Sequence, residues 1–302
     1  MKRLIECVPN FSEGRDRQVV RRIEQAIVSV GGATLLDQSM DADHNRSVFT
    51  FVGAPDEVAA AVLQAAKVAV EAIDLRRHQG VHPRLGAIDV VPFVPLRGVT
   101  ADECVKLAHQ VGERLWQQLQ LPCYFYGDAA RSEQRRKLEH IRRGGFERLR
   151  QALPGDVSRI PDVGGPELHP SAGATAIGVR KFLIAFNVNL ASSDVAIAKQ
   201  IAAKIRESSG GLPAVKALGL ELRSRNLTQV SVNLTDFERT PLHLVFETVK
   251  HEAERLGTRV VASEIVGLVP KKVFEMAAAH SLQIESFRPE MVLENRLADE
   301  DP

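Results

Sequence analysis

The stretch KFLIAFNVNL at residues 181–190 decides the fold, because it opens an order of elements that the chain has already run through once. Ile184, Phe186, Val188 and Leu190 recur at every second position, with Asn187 and Asn189 between them, which is the period of a strand with one buried face. Residues 194–207 then have helical spacing, 215–222 and 229–234 are extended, 241–256 are helical and 258–263 extended. The first half has the same order. A strand at 3–8 precedes a helix at 15–30, whose apolar Val19, Val20, Ile23, Ala26 and Ile27 share one side and which Gly31 and Gly32 end. Strands at 34–36 and 47–52 follow, joined by the polar loop QSMDADHN; Pro55 opens a helix to about residue 75, and 87–94 is again extended. The order β-α-β-β-α-β, met twice, predicts an α/β (α+β) protein of two ferredoxin-like βαββαβ sandwich subdomains, residues 1–177 and 178–302, with a ligand cleft between them.

The first subdomain carries an extension: a helix at 100–118, a strand at 123–126 and a charged helix at 132–151. That last helix reads RSEQRRKLEHIRRGGFERLRQ and is expected to be a solvated face, since no aromatics interleave its arginines to stack nucleotide bases. Between the halves lies PGDVSRIPDVGGPELHPSAGA, with four prolines and four glycines. It reads as a stiff segment lining a ligand site, because glycines let backbone approach a ligand closely.

Composition bounds the function classes. The 302 residues are 44% hydrophobic and 25% charged, ordinary for a globular protein, and the net charge of +1 supplies no field for nucleic acid or a membrane surface. Cys7, Cys104 and Cys123 are odd in number and widely spaced, as in a reducing compartment. The apolar run at the N-terminus stops at Pro9 and Asn10, too short for a secretory signal, and no segment is long enough to span a membrane. A soluble cytoplasmic protein is expected.

Chemistry points first to HQGVHPRLGAIDVVPFVP, residues 78–95. His78 and His82 would share a helix face, but Gly80 lies between them and Pro83 pushes His82 out of helical geometry. No Glu or Cys cluster completes a metal set, so no metal is expected. His82 remains either a structural histidine or a base on a loop at a strand's edge. Arg84 has the choice of an anionic substrate or Asp89. Other polar residues collect at strand ends: CVPNFSEG, with Asn10 and with Ser12 placed to cap the next helix; Asn45 and Arg46; Arg180 and Lys181; Asn187 and Asn189; Asn233, Asp236 and His243. Capping and turns account for many of these. The motifs of serine hydrolases, dinucleotide folds and phosphate loops are absent, which leaves acid–base and positional chemistry.

Taken together, IECVPNFSEG, NRSVFTFVG, HPRLGAIDVVPFVPLRGVT, YFYGDAAR, RKFLIAFNVNL, VSVNLTDFERTPLH and EIVGLVPKK resemble, in that order, glutamate formimidoyltransferase, the transferase part of formimidoyltransferase-cyclodeaminase. The resemblance runs from Ile5 to Lys272. It implies transfer of a formimidoyl group from N-formimidoyl-L-glutamate to tetrahydrofolate, at the end of histidine degradation. It implies two α/β subdomains with folate bound between them, and a homodimer. In it His82 is the catalytic base, and Val163, Gly164, Gly165, Pro166, Glu167, Leu168, His169, Pro170, Ser171 and Ala172 contact folate. Ala172 stands where two-domain relatives carry an aromatic residue. Asn10, Asp37, Asn45, Arg46, Arg84, Arg180, Lys181, Asn187 and Asn233 are the substrate-binding candidates: cations for the carboxylates of glutamate and folate, and Asp37, Asp41 or Asp43 for the cationic amidine. With no cyclodeaminase part in its 302 residues, the chain is expected to release its product to another enzyme. A formyltransferase working between 5-formyl-tetrahydrofolate and glutamate is the nearest alternative; a folate-binding protein without turnover, or an RNA-binding module, is a more distant one.

Overall fold

The chain divides into two compact units, Met1–Arg180 and Lys181–Pro302, and each has its own sheet. The computed structural model describes residues 3–277 and Leu293, so the end of the second subdomain expected at 178–302 lies outside the described residues.

The first unit runs β1 (Leu4–Cys7), β2 (Asn10–Phe11), α1 (Arg17–Val28), β3 (Thr34–Asp41), β4 (Arg46–Gly53), α2 (Pro55–Ala72), β5 (Ile88–Arg97), α3 (Ala101–Leu119), β6 (Cys123–Gly127), α4 (Leu138–Ile141), α5 (Gly145–Ala152) and β7 (Thr175–Val179). The strands β1 and β2 lie end to end between β4 and β5, antiparallel to both. Pro9 has no amide hydrogen to give the ladder, which breaks the line in two. With β3 on the outer side of β4, these strands form an antiparallel sheet; β7 then adds beyond β5 and β6 beyond β7, both in parallel. Phe49, Phe51, Val91 and Phe93 point to one face, where they pack against apolar residues of α1, α2 and α3 such as Val20, Ile23, Val62 and Val111. A smaller apolar cluster, with Val90, Tyr124, Tyr126, Ile141 and Leu149, covers part of the other face.

The second unit runs β8 (Ile184–Leu190), α6 (Val195–Ile205), β9 (Val215–Leu222), β10 (Leu227–Leu234), α7 (Leu242–Arg255), β11 (Val260–Val266) and α8 (Lys271–Ala277). Its strand order is β11-β8-β10-β9, antiparallel throughout, with α6 and α7 on the face formed by Phe186, Val188, Val230 and Val232. The β-α-β-β-α-β order is thus present in both halves, in a mixed α/β architecture with two sheets.

Four expectations need correction. QSMDADHN is not a loop throughout: β3 continues to Asp41, and only residues 42–45 turn. Ser39 and Asp41 lie opposite Val48 and Arg46 on the face that the helices do not cover, while Gln38 lies opposite Phe49 on the covered one, so Met40 alone gives no apolar period to mark a strand. The charged stretch is not one helix: Gly144 and Gly145 both take positive φ (87° and 67°), which ends α4 and restarts the chain as α5. Ser12 does not cap α1; Asp16 does, accepting from the amides of Gln18 and Val19, while Ser12 Oγ donates to the Gly86 carbonyl at 2.7 Å. Finally, β7 follows directly on the proline- and glycine-rich segment and was not marked, since five buried residues between two partner strands show no alternation.

Three loops converge at one end of the first sheet. Asn45, at φ 47°, accepts from the Gly14 amide at 3.0 Å and donates to the Gln79 carbonyl at 3.0 Å. A methyl group on Gly14 would stand 2.2 Å from the Asp41 carbonyl oxygen and 2.3 Å from the Arg46 nitrogen. Both are backbone atoms of the turn, so neither can swing aside. Gly14→Ala is therefore expected to destabilise the protein by about 2 kcal/mol or more, read as a lowered urea midpoint.

Candidate active site

The face of the first sheet turned away from α1–α3 is where the polar residues gather. Ile5 and Cys7 belong to the helix-covered core, so Glu6 between them points to the other face. Glu6 lies opposite Val52 and Val94, and Asn10 opposite Val48 and Val90; Asp37, Ser39 and Asp41 lie opposite Thr50, Val48 and Arg46. Partners in a ladder share a face, which puts all of these side chains on one surface.

At its centre is Asp89, fully buried on β5. One oxygen accepts from the Leu85 amide at 2.7 Å; the other accepts from Arg46 at 2.6 Å and from Arg142. Burial pushes this carboxyl up, but the charges of Arg142 and Arg46 outweigh it and hold Asp89 well below the ordinary carboxylate range. Arg46 also donates from Nε to Asn10 Oδ1 at 3.0 Å, and Asn10 donates to the Val8 carbonyl at 2.9 Å.

His82 stands over this cluster. Its Nδ1 is 2.8 Å from the Pro83 carbonyl oxygen. A carbonyl only accepts, so Nδ1 carries the hydrogen and Nε2 presents a lone pair. Burial first, then the charges of Arg46 and Arg142, lower the His82 pKa well below its ordinary value; Asp89 acts in the opposite direction. The imidazole is a neutral base at pH 7. The His44 ring lies 6.2 Å away, centroid to centroid, and donates from Nδ1 to Asp41 at 2.7 Å. Asp41 also accepts from the His44 amide at 2.7 Å. Burial pushes its carboxyl up, but the hydrogen bonds from His44 outweigh it and hold it low. His78 is no partner of His82 in a metal set: its Nε2 donates to the Asn45 carbonyl at 2.8 Å. Among the described residues no group of three or more His, Cys, Asp or Glu side chains is placed to hold a metal ion.

The sheet brings Asn10, Asp37, Asn45, Arg46 and His82 into this one region, though Asn45 spends its side chain on joining loops. Arg84 does not join it, nor does it pair with Asp89. It pairs with Glu147 of α5 at 2.7 Å and donates to the Leu75 and His78 carbonyls. Arg180 closes β7 and hydrogen-bonds Tyr126, whose hydroxyl also feels Arg142. Lys181, Asn187 and Asn233 belong to the second unit. There Asn187 and Gln229 each donate to Glu264 at 3.1 Å, on the face of β8 and β10 opposite their apolar core. The buried polar atoms Asn189 Nδ2, Gln229 Oε1 and Thr228 Oγ1 on those strands have no partner. Asn233 lies opposite Ala185 and Lys216. In the segment 163–172, Val163 is buried and bridges to Cys123, Gly164 takes φ 98°, and His169 Nδ1 accepts from the Ala172 amide at 3.0 Å. Ala172 lies in the apolar core, with its carbonyl taking the Ala87 amide. Pro166, Glu167 and Pro170 are its exposed part.

Two residues escaped the sequence reading. Arg142 comes from the stretch taken to be a solvated face, and the glycine pair that ends α4 just after it was the available signal. Glu6 is an acidic residue inside the apolar strand LIEC, only 4% exposed. Burial pushes its carboxyl up to about 7, with Arg180 holding it back.

Two family models cover the chain: the one described as formiminotransferase domain, N-terminal subdomain, matches residues 4–180, and the one described as formiminotransferase domain matches 185–296. The chain is 44% identical to a glutamate formimidoyltransferase of Streptococcus pyogenes serotype M1, over 98% of this chain and 99% of the relative. It is 45% identical to one of Thermoplasma acidophilum, over 97% of each. To the formimidoyltransferase-cyclodeaminase of Gallus gallus it is 47% identical, over 94% of this chain and 53% of that longer protein.

The state of Glu6 has a consequence for stability. Between pH 4.5 and about 7 the folded protein keeps a proton that the unfolded chain has lost, so stability falls as pH rises through that window. The full effect is roughly 3 kcal/mol and is present above pH 7. Glu6→Gln removes it. The variant is expected to have a higher urea midpoint than the parent at pH 8 and the same midpoint at pH 4.

Proposed function

The chain belongs to the formiminotransferase family, and on that premise we propose that it moves the formimidoyl group of N-formimidoyl-L-glutamate to N5 of tetrahydrofolate, in histidine degradation. It is a transferase. The observation that carries the mechanism is the His82 tautomer: Nδ1–H is spent on the Pro83 carbonyl, and Nε2 is left as a base.

In the reaction, N5 of tetrahydrofolate attacks the formimidoyl carbon and a carbon–nitrogen bond forms. The attacking nitrogen becomes cationic and its proton strongly acidic, so a base of low pKa suffices and stays unprotonated at neutral pH. His82 Nε2 takes that proton. As the bond from carbon to the glutamate nitrogen breaks, the imidazolium returns the proton to that nitrogen, and L-glutamate leaves. Asp89 favours the imidazolium as it forms, while burial and then the charges of Arg46 and Arg142 keep the resting ring neutral. Arg46, Arg142, Arg180 and Lys181 are the cations suited to the carboxylates of glutamate and of the folate tail. Tetrahydrofolate is a co-substrate in this reading, with the segment 163–172 of the first unit, exposed at Pro166, Glu167 and Pro170, as its contact. Holding two substrates in register would supply much of the rate. No step calls for a metal.

Buried, unpaired Cys7, Cys104 and Cys123 support a cytoplasmic site of action. Among the described residues no helix is long and apolar enough to cross a membrane. We further take the protein to work as a homodimer, and sedimentation at micromolar concentration is expected to give a mass near twice that of the chain.

His82→Ala is expected to lower kcat by 10²-fold or more, measured by acid-quenching the reaction and following the methenyl-folate absorbance. The parent's kcat/KM is expected to hold on the acid side of neutrality and fall only well below pH 6.5. In Arg142→Gln one of the two cations that depress His82 is gone, so the acid limb moves up towards pH 6.5. An unmoved limb would remove His82 from the role of base.

A further inference from the structure

The ring of His82 is tethered only locally: among the described residues its one hydrogen bond is to the carbonyl of the next residue, Pro83. That bond fixes the tautomer but moves with the loop. It does not set where the base stands relative to Arg46, Arg142 and Asp89. Residues 73–85, which lead from α2 towards β5, form no helix or strand that could do so. The place of the base comes from the bonds that hold this loop.

Those bonds meet at His78. Its carbonyl accepts from Arg84 Nη2 at 3.1 Å, which closes residues 78–84 into a ring of chain around His82. Its imidazole donates from Nε2 to the Asn45 carbonyl at 2.8 Å, which ties that ring of chain to the turn between β3 and β4. The next residue after Asn45 is Arg46, the cation paired with Asp89. Two further bonds join the same segments: the Val81 amide donates to the Asp43 carbonyl at 3.1 Å, and Asn45 Nδ2 to the Gln79 carbonyl at 3.0 Å. The first uses backbone alone and the second a side chain of the turn, so His78 is the side chain that the loop itself supplies to the joint. A second observation concerns the other nitrogen of the same imidazole. His78 Nδ1 is buried and has no hydrogen-bond partner. A bare buried acceptor lowers stability, and an apolar side chain in its place would not have one. Packing therefore does not explain a histidine here, whereas the Nε2–H that it presents to Asn45 does.

We propose that His78 is a positioning residue for the base: through the Asn45 carbonyl it holds the loop of His82 in register with Arg46 and Asp89. This rests on His82 being the base of the reaction proposed above. Of two histidines four apart, one then works and the other keeps it in place. Loosening the joint would change the distance from the His82 imidazole to every charge around it. Those charges are Arg46 on β4, Arg142 at the end of α4, Asp89 on β5 and the His44–Asp41 pair at the turn, with the His44 ring 6.2 Å away.

The test reads the base directly and needs no substrate. In the full chain, the Cε1–H signal of His82 is followed by NMR as the pH is lowered, identified by its loss in His82→Ala. In the parent the imidazole is expected to stay neutral until well below about pH 6.5. In His78→Phe, which keeps a ring and removes the donor, the midpoint is expected to rise towards that value as the loop moves off the two cations and takes on water. His78→Gln, whose amide nitrogen reaches about as far as Nε2, is expected to bring it most of the way back. The kcat for formimidoyl transfer should fall about 10- to 100-fold in His78→Phe and recover in His78→Gln. Urea unfolding accompanies each variant. Should His78→Phe not fold, His78→Asn, too short to reach the Asn45 carbonyl, has the same expected outcome. A His82 midpoint that His78→Phe leaves unmoved overturns the proposal, however far the urea midpoint drops, because that is what a merely structural role predicts. Absence of turnover in the parent with N-formimidoyl-L-glutamate and tetrahydrofolate brings down the proposed reaction instead, and the titration still decides whether His78 positions His82.

Discussion

The carboxylate of Asp89 is the constraint on which the first unit depends. A fully buried anion costs several kcal/mol unless charge and hydrogen bonds surround it. Here they come from Arg46 on β4, Arg142 at the end of α4 and the Leu85 amide just after the His82–Pro83 turn. These parts are far apart in sequence, and the buried charge holds them in one place. The same cluster sets the electrostatics of His82. Burial first, and then two cations around one anion, keep the histidine beside it neutral. Structure and chemistry share one device, so stability and basicity at this site are coupled.

The sheet separates two tasks by its faces. One face is apolar and packs on α1–α3; the other carries Glu6, Asn10, Asp37, Asp41, Arg46 and Thr50 at alternate positions of the same strands. Each strand thus pays into the core and the site at once, and a slip of one residue would exchange them. The glycines at the loop ends serve the same end. Gly14 lets the turn after β2 lie against the turn between β3 and β4, and Gly80 lies against the His44 carbonyl, where a Cβ would stand 2.2 Å from its oxygen.

Much of this was legible in the sequence and some was not, for physical reasons. The repeated order of elements showed because core-facing residues such as Ile184, Phe186 and Val188 keep a clean period. Residues 38–41 did not show as strand because Gln38, Ser39 and Asp41 are polar whichever face they take, and Met40 alone leaves no alternation to read. The five residues of β7 did not show because a strand buried on both sides has no alternation to display. His82 was found through its motif and its proline. Arg142 was hidden among arginines that are mostly solvated, and only the geometry says which one turns inward. Glu6 could have been suspected, since an acid inside LIEC has no apolar reason to be there.

The position of β7 has a consequence for how the protein comes into being. It is the last strand of the first unit in sequence, yet it lies in the sheet's interior, between β5 and β6 and parallel to both. Until residue 179 has been made, β5 and β6 have no common neighbour, and that side of the sheet cannot close. Segment 163–172 leads into this strand and Arg180 leaves it, so both ends of the late strand carry groups assigned to ligand binding. Sheet closure and completion of the site are then a single late event in synthesis, delayed by the loop-closure entropy of bringing distant strands together. A nascent chain short of β7 would present two open strand edges to the cell, and the interval before they are sealed is when this protein is most exposed to aggregation.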